Sequence, residues 1–212
     1  MKTFTLLLFS LGLYSTTLAQ INAITDTGDE VILYNDGTWS YLNEGDSSGY
    51  DIPVNPTLFT KSESSTFLLK SSRINLGFWL DPKVWSFKKG TENADSEYEL
   101  QLKGDDLYGM IITEKVEIPL ETLREVAIEN ARAAAPDIRV VKEEYRTVNG
   151  INILLLQLNG TIQGIKFSYY GYYYSNSNGT VQFLTYTSQN LLTEFLDTCE
   201  QLLNGLVELE EN

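Results

Sequence analysis

The sequence contains no histidine, and this absence removes a large set of chemistries. Without imidazole the chain cannot form a Ser-His-Asp or Cys-His catalytic site, and it lacks the commonest zinc ligand. Cysteine occurs once, at Cys199, so an intramolecular disulfide is excluded and packing must stabilise the fold. We therefore predict no catalytic residue, no metal and no cofactor. We interpret Cys199 as a buried, inert thiol, because no basic residue is placed to lower its pKa.

Basic residues and long apolar runs are also scarce. The chain has 15 Lys and Arg against 29 Asp and Glu, a formal net charge of −14. Such a surface repels phosphate backbones and anionic lipids, so nucleic acid and membrane surfaces are disfavoured as partners. The apolar run over residues 5–13 is shorter than the roughly 20 residues that span a bilayer. Lys2 before it and Thr17-Leu18-Ala19 after it are typical of a signal peptide over residues 1–19. We therefore predict an exported chain, periplasmic or extracellular, that is soluble after removal of this peptide and not inserted in a membrane.

The rest of the chain changes composition twice. Residues 20–43 contain two β-prone runs around Asn35-Asp36-Gly37, which predicts a small N-terminal β-hairpin. Residues 44–65 are rich in Ser, Asp, Gly and Pro, and we interpret them as a linker. The main domain is expected over residues 66–212, a length that permits a genuine core.

Apolar periodicity in this main domain predicts an α+β fold with consecutive hairpins rather than βαβ crossovers. Apolar residues with helical spacing predict two main helices, over residues 119–135 and 189–204. We expect an antiparallel sheet of about six to seven strands packed with these helices. The runs that predict strands are residues 74–80, 84–87, 98–102, 108–118, 138–148, 151–163, 165–175 and 180–187.

One of these strands holds five of the thirteen tyrosines of the chain. Because side chains alternate along a strand, its even-numbered tyrosines share one face and its odd-numbered aromatic residues share the other. Two interpretations stay open. Either both faces are buried between layers, or the even-numbered face is an open platform that stacks a sugar or seats a peptide. The candidate ligand-binding residues are therefore Tyr170, Tyr172 and Tyr174.

Carboxylate pairs are a weaker candidate. A glycosidase needs two acids at a defined separation and no histidine, and three adjacent pairs exist, at residues 105–106, 143–144 and 210–211. Neighbouring residues on a strand point to opposite faces, which disfavours a shared site. The oxygen-rich segments 26–30 and 46–51 do not match an EF-hand calcium loop, and we interpret them as solvated.

Two segments and the order of the elements carry a resemblance. Residues 75–85 form an aromatic strand that runs into Pro82 and then Trp85. This segment, and the order of strand pair, helix, meander and C-terminal helix over residues 66–206, resemble the PsbP/Mog1-like fold. The leader and the Asp36-Gly37-Thr38-Trp39 hairpin are similar to exported proteins of Bacteroidetes-type bacteria.

The resemblance implies no enzyme, because proteins of this fold are mostly assembly, docking or binding factors. We therefore expect an exported, non-enzymatic binding, docking or assembly protein with an unknown protein or glycan partner. The alternative is a carbohydrate-binding or carbohydrate-processing protein that uses the tyrosine platform and a carboxylate pair.

Overall fold

The computed structural model describes residues 21–24, 30–33, 37, 39–41, 52–91 and 95–210, which fall into two compact units, residues 1–51 and 52–212. In the first unit, β1 (Ile21–Ile24), β2 (Glu30–Leu33) and β3 (Trp39–Tyr41) form an antiparallel sheet in that order. The predicted hairpin thus corresponds to β2 and β3, with β1 as an additional strand. The predicted signal peptide lies outside the described residues. So do residues 44–51 of the predicted linker and, apart from Glu30, the two segments considered for calcium.

The described part of the second unit contains eleven strands and two helices. In chain order they are β4 (Val54–Phe59), β5 (Phe67–Lys70), β6 (Leu76–Leu80), β7 (Trp85–Lys89), β8 (Ser96–Leu102), β9 (Tyr108–Glu114), α1 (Leu120–Ala134), β10 (Arg139–Val148), β11 (Ile151–Ile162), β12 (Ile165–Asn176), β13 (Gly179–Ser188), α2 (Gln189–Leu203) and β14 (Leu206–Glu208).

Eight of these strands form the main sheet, in the order β4-β10-β11-β12-β13-β9-β8-β7. All neighbours are antiparallel except β4, which lies parallel to β10 at one edge. A second antiparallel sheet has the order β14-β6-β5. The predicted α+β class is confirmed, and the strands β10 to β13 form the expected meander. The main sheet has one strand more than the upper limit predicted, and the second sheet was not predicted.

Strand β4 lies within residues 44–65, the segment that was predicted to be a linker. The second unit begins at Ile52, whereas the sequence analysis assigned residues 44–65 to a linker. Pro56 lies within β4, although proline cannot donate a hydrogen bond to a ladder. Proline is tolerated here because β4 is an edge strand, which pairs with β10 on one side alone.

The two helices cover opposite faces of the main sheet. Helix α1 packs on β11 and β12 through small and apolar side chains such as Leu123 and Ala127. Helix α2 and the second sheet cover the other face, where Phe78, Phe183 and Leu203 belong to the largest core cluster. In the described part of the chain, no helix is long and apolar enough to cross a membrane.

Candidate functional site

The predicted ligand-binding tyrosines lie beneath α2 and β14. The exposed fractions of Tyr170, Tyr172 and Tyr174 are 1%, 0% and 9%. Their rings therefore have no open face on which a sugar or a peptide could stack. Of the two interpretations left open by the sequence, burial is the one that describes this face.

The hydroxyl groups of these tyrosines bond to residues spaced four apart along the C-terminal segment. Tyr170 donates to Glu200 Oε1 (2.6 Å) and Tyr172 donates to Asn204 Oδ1 (2.8 Å). Two residues of a strand advance about 6.6 Å, and four residues of a helix advance about 6.0 Å, so the spacings match. In β14 the pattern continues with Tyr174, which donates to Glu208 Oε1 (2.5 Å). We conclude that the tyrosine strand fixes the register of α2 along β12.

Arg146 on β10 joins the same layer and is only 3% exposed. It donates to Glu144 Oε1 (2.6 Å), to Glu200 Oε1 (2.9 Å) and to the Tyr172 hydroxyl (3.0 Å). Burial opposes the charge of Glu144, but its bonds with Arg146 and Asn55 hold the pKa of this carboxyl below its usual value. The cluster is a satisfied buried ion network, which is costly to break by removing one partner.

The carboxylates of the two described pairs are not brought into a shared site, and Glu211 of the third pair lies outside the described residues. Glu143 lies on the opposite face of β10 from Glu144, where its carboxylate accepts two hydrogen bonds from Arg124 of α1, at 2.5 and 3.0 Å. Asp105 and Asp106 are exposed in the turn between β8 and β9. Within the described ranges, no three acidic or cysteine side chains cluster in a way that would hold a metal ion.

Sequence reasoning missed a different feature, the residues around β7 at the edge of the main sheet. Residues 67–89 carry five basic residues and one acidic residue, a formal charge of +4 in a chain whose total is −14. This local excess of positive charge is visible in the sequence alone. The fold then places the segment on β5, β6 and β7, with β7 as the last strand of the main sheet.

Two phenylalanines meet at this edge and stay partly exposed. Phe67 on β5 and Phe87 on β7 have ring centroids 5.3 Å apart and exposed fractions of 39% and 40%. Phe87 also contacts the ring of Tyr98 edge-on, at 6.3 Å. We call this surface the basic edge and define it by the two phenylalanines and four exposed lysines: Phe67, Phe87, Lys70, Lys83, Lys88 and Lys89.

A buried carboxylate positions β5 against the main sheet. Glu97 on β8 is 6% exposed and accepts hydrogen bonds from Ser71 Oγ (2.7 Å), from Ser72 N–H (2.5 Å) and Oγ (2.8 Å), and from Thr113 Oγ1 (2.6 Å). We call this arrangement the Glu97 clamp. Because Ser71 directly follows β5, the clamp holds the strand that carries Phe67 in place.

The opposite edge of the main sheet offers a contrast. Val54 and Leu58 on β4 are 73% and 75% exposed, so apolar side chains are present at both edges. Residues 52–60, however, contain no charged residue, and Pro56 interrupts the ladder. The β7 edge alone combines exposed aromatic rings with a local excess of positive charge.

The layers and the strand order define the class: the second unit is an α+β domain with the PsbP/Mog1-like fold, as the resemblance implied. The structure is similar to the solution structure of cyanobacterial PsbP (CyanoP) from Synechocystis sp. PCC 6803, with a TM-score of 0.52 and 10% identity over 69% of this chain and 94% of that chain. It is also similar to PA94, a protein of unknown function from Pseudomonas aeruginosa, with a TM-score of 0.46 and 12% identity over 68% of this chain and 98% of that chain. No family model and no curated protein matches the sequence.

Proposed function

We propose that this chain is an exported, non-enzymatic docking protein that binds a protein partner through the basic edge. The observation that carries the proposal is the contact between Phe67 and Phe87, exposed by 39% and 40% on strands of two different sheets, in a segment that also carries four exposed lysines. Aromatic residues are enriched at protein interfaces and supply much of their binding energy. The fold supports the proposal only in general terms, because the similarity at 10% identity concerns architecture.

A protein partner fits this surface better than a sugar. The two rings are tilted by 31° against each other, so they do not form one flat stacking surface. The carbohydrate alternative depended on Tyr170, Tyr172 and Tyr174, whose rings are covered by α2 and β14. The excess of positive charge in residues 67–89 also favours an acidic partner over a neutral polysaccharide.

The test is selection of binding peptides against matched variants. A random-peptide display library is panned on the wild-type chain, and enriched peptides are then measured by fluorescence anisotropy on Phe87→Ser and Leu58→Ser. Both substitutions remove a large apolar side chain from an edge strand of the same sheet, so Leu58→Ser controls for general loss of apolar surface. We expect Phe87→Ser to weaken binding by about tenfold or more, as for a central interface residue, and Leu58→Ser to leave it within about twofold.

The same variants are screened against soluble polysaccharides. Peptides that bind Phe87→Ser as well as wild type would contradict the proposal. Binding of a polysaccharide that Phe87→Ser abolishes would assign the basic edge to carbohydrate instead.

A further inference from the structure

We infer that the partner docks on the basic edge as an added, acidic β-strand that pairs with β7; this inference rests on the proposed function. Addition of a strand to a sheet edge draws affinity from main-chain hydrogen bonds and specificity from alternate side chains. Both the backbone and the side chains of β7 are arranged for this mode.

The backbone bonds at the two ends of the β7–β8 ladder show which groups of β7 face β8. The N–H of Gly90 donates to the Glu97 carbonyl (3.0 Å), and the N–H of Lys103 donates to the Val84 carbonyl (2.8 Å). In an antiparallel ladder, hydrogen-bonded and non-hydrogen-bonded pairs alternate. The register therefore makes the even-numbered positions of β7 the ones that bond to β8.

The odd-numbered positions of β7 consequently point their N–H and C=O groups away from the sheet. The N–H of Trp85 is taken by the Asp81 carbonyl (3.0 Å) in the preceding turn. The outward N–H and C=O groups of Phe87 and Lys89 face the free edge of the sheet. Among the described residues, no strand pairs with β7 on this side. A short incoming strand would find two consecutive bonding positions there.

The side chains of β7 divide into an aromatic face, which also carries Lys89, and a polar face. Phe87 lies against Phe67 on one face, whereas Ser86 and Lys88 lie on the other. An added strand would place one alternate set of side chains beside the two rings and the other beside Lys88, which is 55% exposed and 3.0 Å from Glu99. The complementary segment therefore alternates apolar and acidic residues.

Lysine at a sheet edge also has a protective effect, because it disfavours pairing between copies of the same edge. The two effects are compatible. Lys88 and Lys89 repel a second copy of β7 and attract an acidic strand, so the charge selects among strands that the exposed backbone would otherwise accept.

A synthetic peptide and two variants at one position test the inference. The probe is an acetylated, amidated peptide of about eight residues in which glutamate alternates with valine, long enough to pair with the whole of β7. Its counterpart replaces every glutamate with lysine. Lys89→Pro removes the outward N–H without removing a ladder bond to β8, and Lys89→Ser removes the charge alone. Binding is measured by anisotropy, and unfolding curves verify that both variants fold.

We expect the glutamate peptide to bind at least about tenfold more tightly than the lysine peptide. Its affinity should fall when salt is raised from about 50 to about 500 mM. We also expect Lys89→Pro to bind at least about fivefold more weakly than Lys89→Ser, which corresponds to one lost hydrogen bond.

Equal binding by the two Lys89 variants would overturn strand addition, and equal binding by the two peptides would overturn the acidic partner. Either result leaves the proposed function standing if panned peptides still require Phe87. If no peptide depends on Phe87, both the inference and the proposed function fail. Self-association of the chain that Lys89→Pro abolishes would make a second copy the occupant, and would overturn the inference.

Discussion

Replacement of Glu97 by glutamine, Glu97→Gln, tests the clamp that holds β5 against β8 and β9. The wild-type carboxylate is 6% exposed and accepts four hydrogen bonds of 2.5–2.8 Å. Glutamine has nearly the same shape, so the substitution changes hydrogen bonding and charge with little change in packing.

Glutamine cannot satisfy the donors of the clamp. The Ser71 hydroxyl already accepts the N–H groups of Arg73 (3.0 Å) and Ile74 (3.1 Å), so its proton must go to Glu97. The Ser72 N–H is also fixed as a donor. In either orientation, the amide NH₂ therefore faces a donor. The variant loses one charge-assisted hydrogen bond and leaves one buried donor unpaired. It also no longer buries a charge, which offsets part of this cost. We expect the free energy of unfolding to fall by about 2–4 kcal/mol.

The loss of unfolding free energy in Glu97→Gln should depend on pH. Burial raises the pKa of Glu97, but the hydrogen bonds from Thr113, Ser71 and Ser72 outweigh burial and hold the pKa below its usual value. A carboxyl whose pKa is lowered by folding stabilises the protein above the unfolded pKa, and this stability is lost as the pH falls through the folded value. The difference between wild type and Glu97→Gln should therefore be largest near neutral pH and shrink in acid.

Urea unfolding, followed by tryptophan fluorescence at about pH 7 and at about pH 3.5, measures both effects. Glu129→Gln is the matched control, because Glu129 is exposed and forms a surface ion pair with Arg132 one turn along α1. Its effect should stay within about 0.5 kcal/mol. If Glu97→Gln lowers the free energy of unfolding by less than about 0.5 kcal/mol near neutral pH, the clamp does not hold β5 in the way described. A deficit that is the same at both pH values would refute the role of the charge.

The parts of the fold that sequence periodicity predicted are those with local signals. Helix α2 was expected over residues 189–204 and spans Gln189–Leu203. The meander β10 to β13 was expected because Asn-Gly and Gln-Gly pairs mark its first two turns, where Asn149 and Gln163 take positive φ angles of 50° and 51°. Turn chemistry and strands of ten or more residues left little freedom in that region.

The parts that were missed depend on partners distant in sequence. Strands β5 and β14 are short and become a sheet only because both pair with β6. The contact between Phe67 and Phe87 joins two sheets, and no local sequence pattern predicts it. The +4 charge of residues 67–89 was available in the sequence, but it pointed to a surface only once the fold placed the segment at a sheet edge.

Two further predictions concern the layer beneath α2. Tyr172→Phe removes the hydroxyl that bonds to Arg146 and Asn204, and should lower the free energy of unfolding by about 1–3 kcal/mol in urea titrations. Tyr173→Phe should change the free energy of unfolding by less than about 0.5 kcal/mol, because no hydrogen bond of the Tyr173 hydroxyl occurs in the described part of the chain. Equal effects of Tyr172→Phe and Tyr173→Phe would contradict the role of the Tyr172 hydroxyl in setting the register of α2. Cys199 is 0% exposed, and burial raises the pKa of its thiol to about 11. Since the reactive form is the thiolate, an aromatic disulfide reagent should label native protein near pH 8 only as fast as the chain opens globally, and should label urea-unfolded protein at once. Rapid labelling of the folded chain would show that α2 leaves the sheet locally, and the tyrosine hydroxyls would then not be holding it in register.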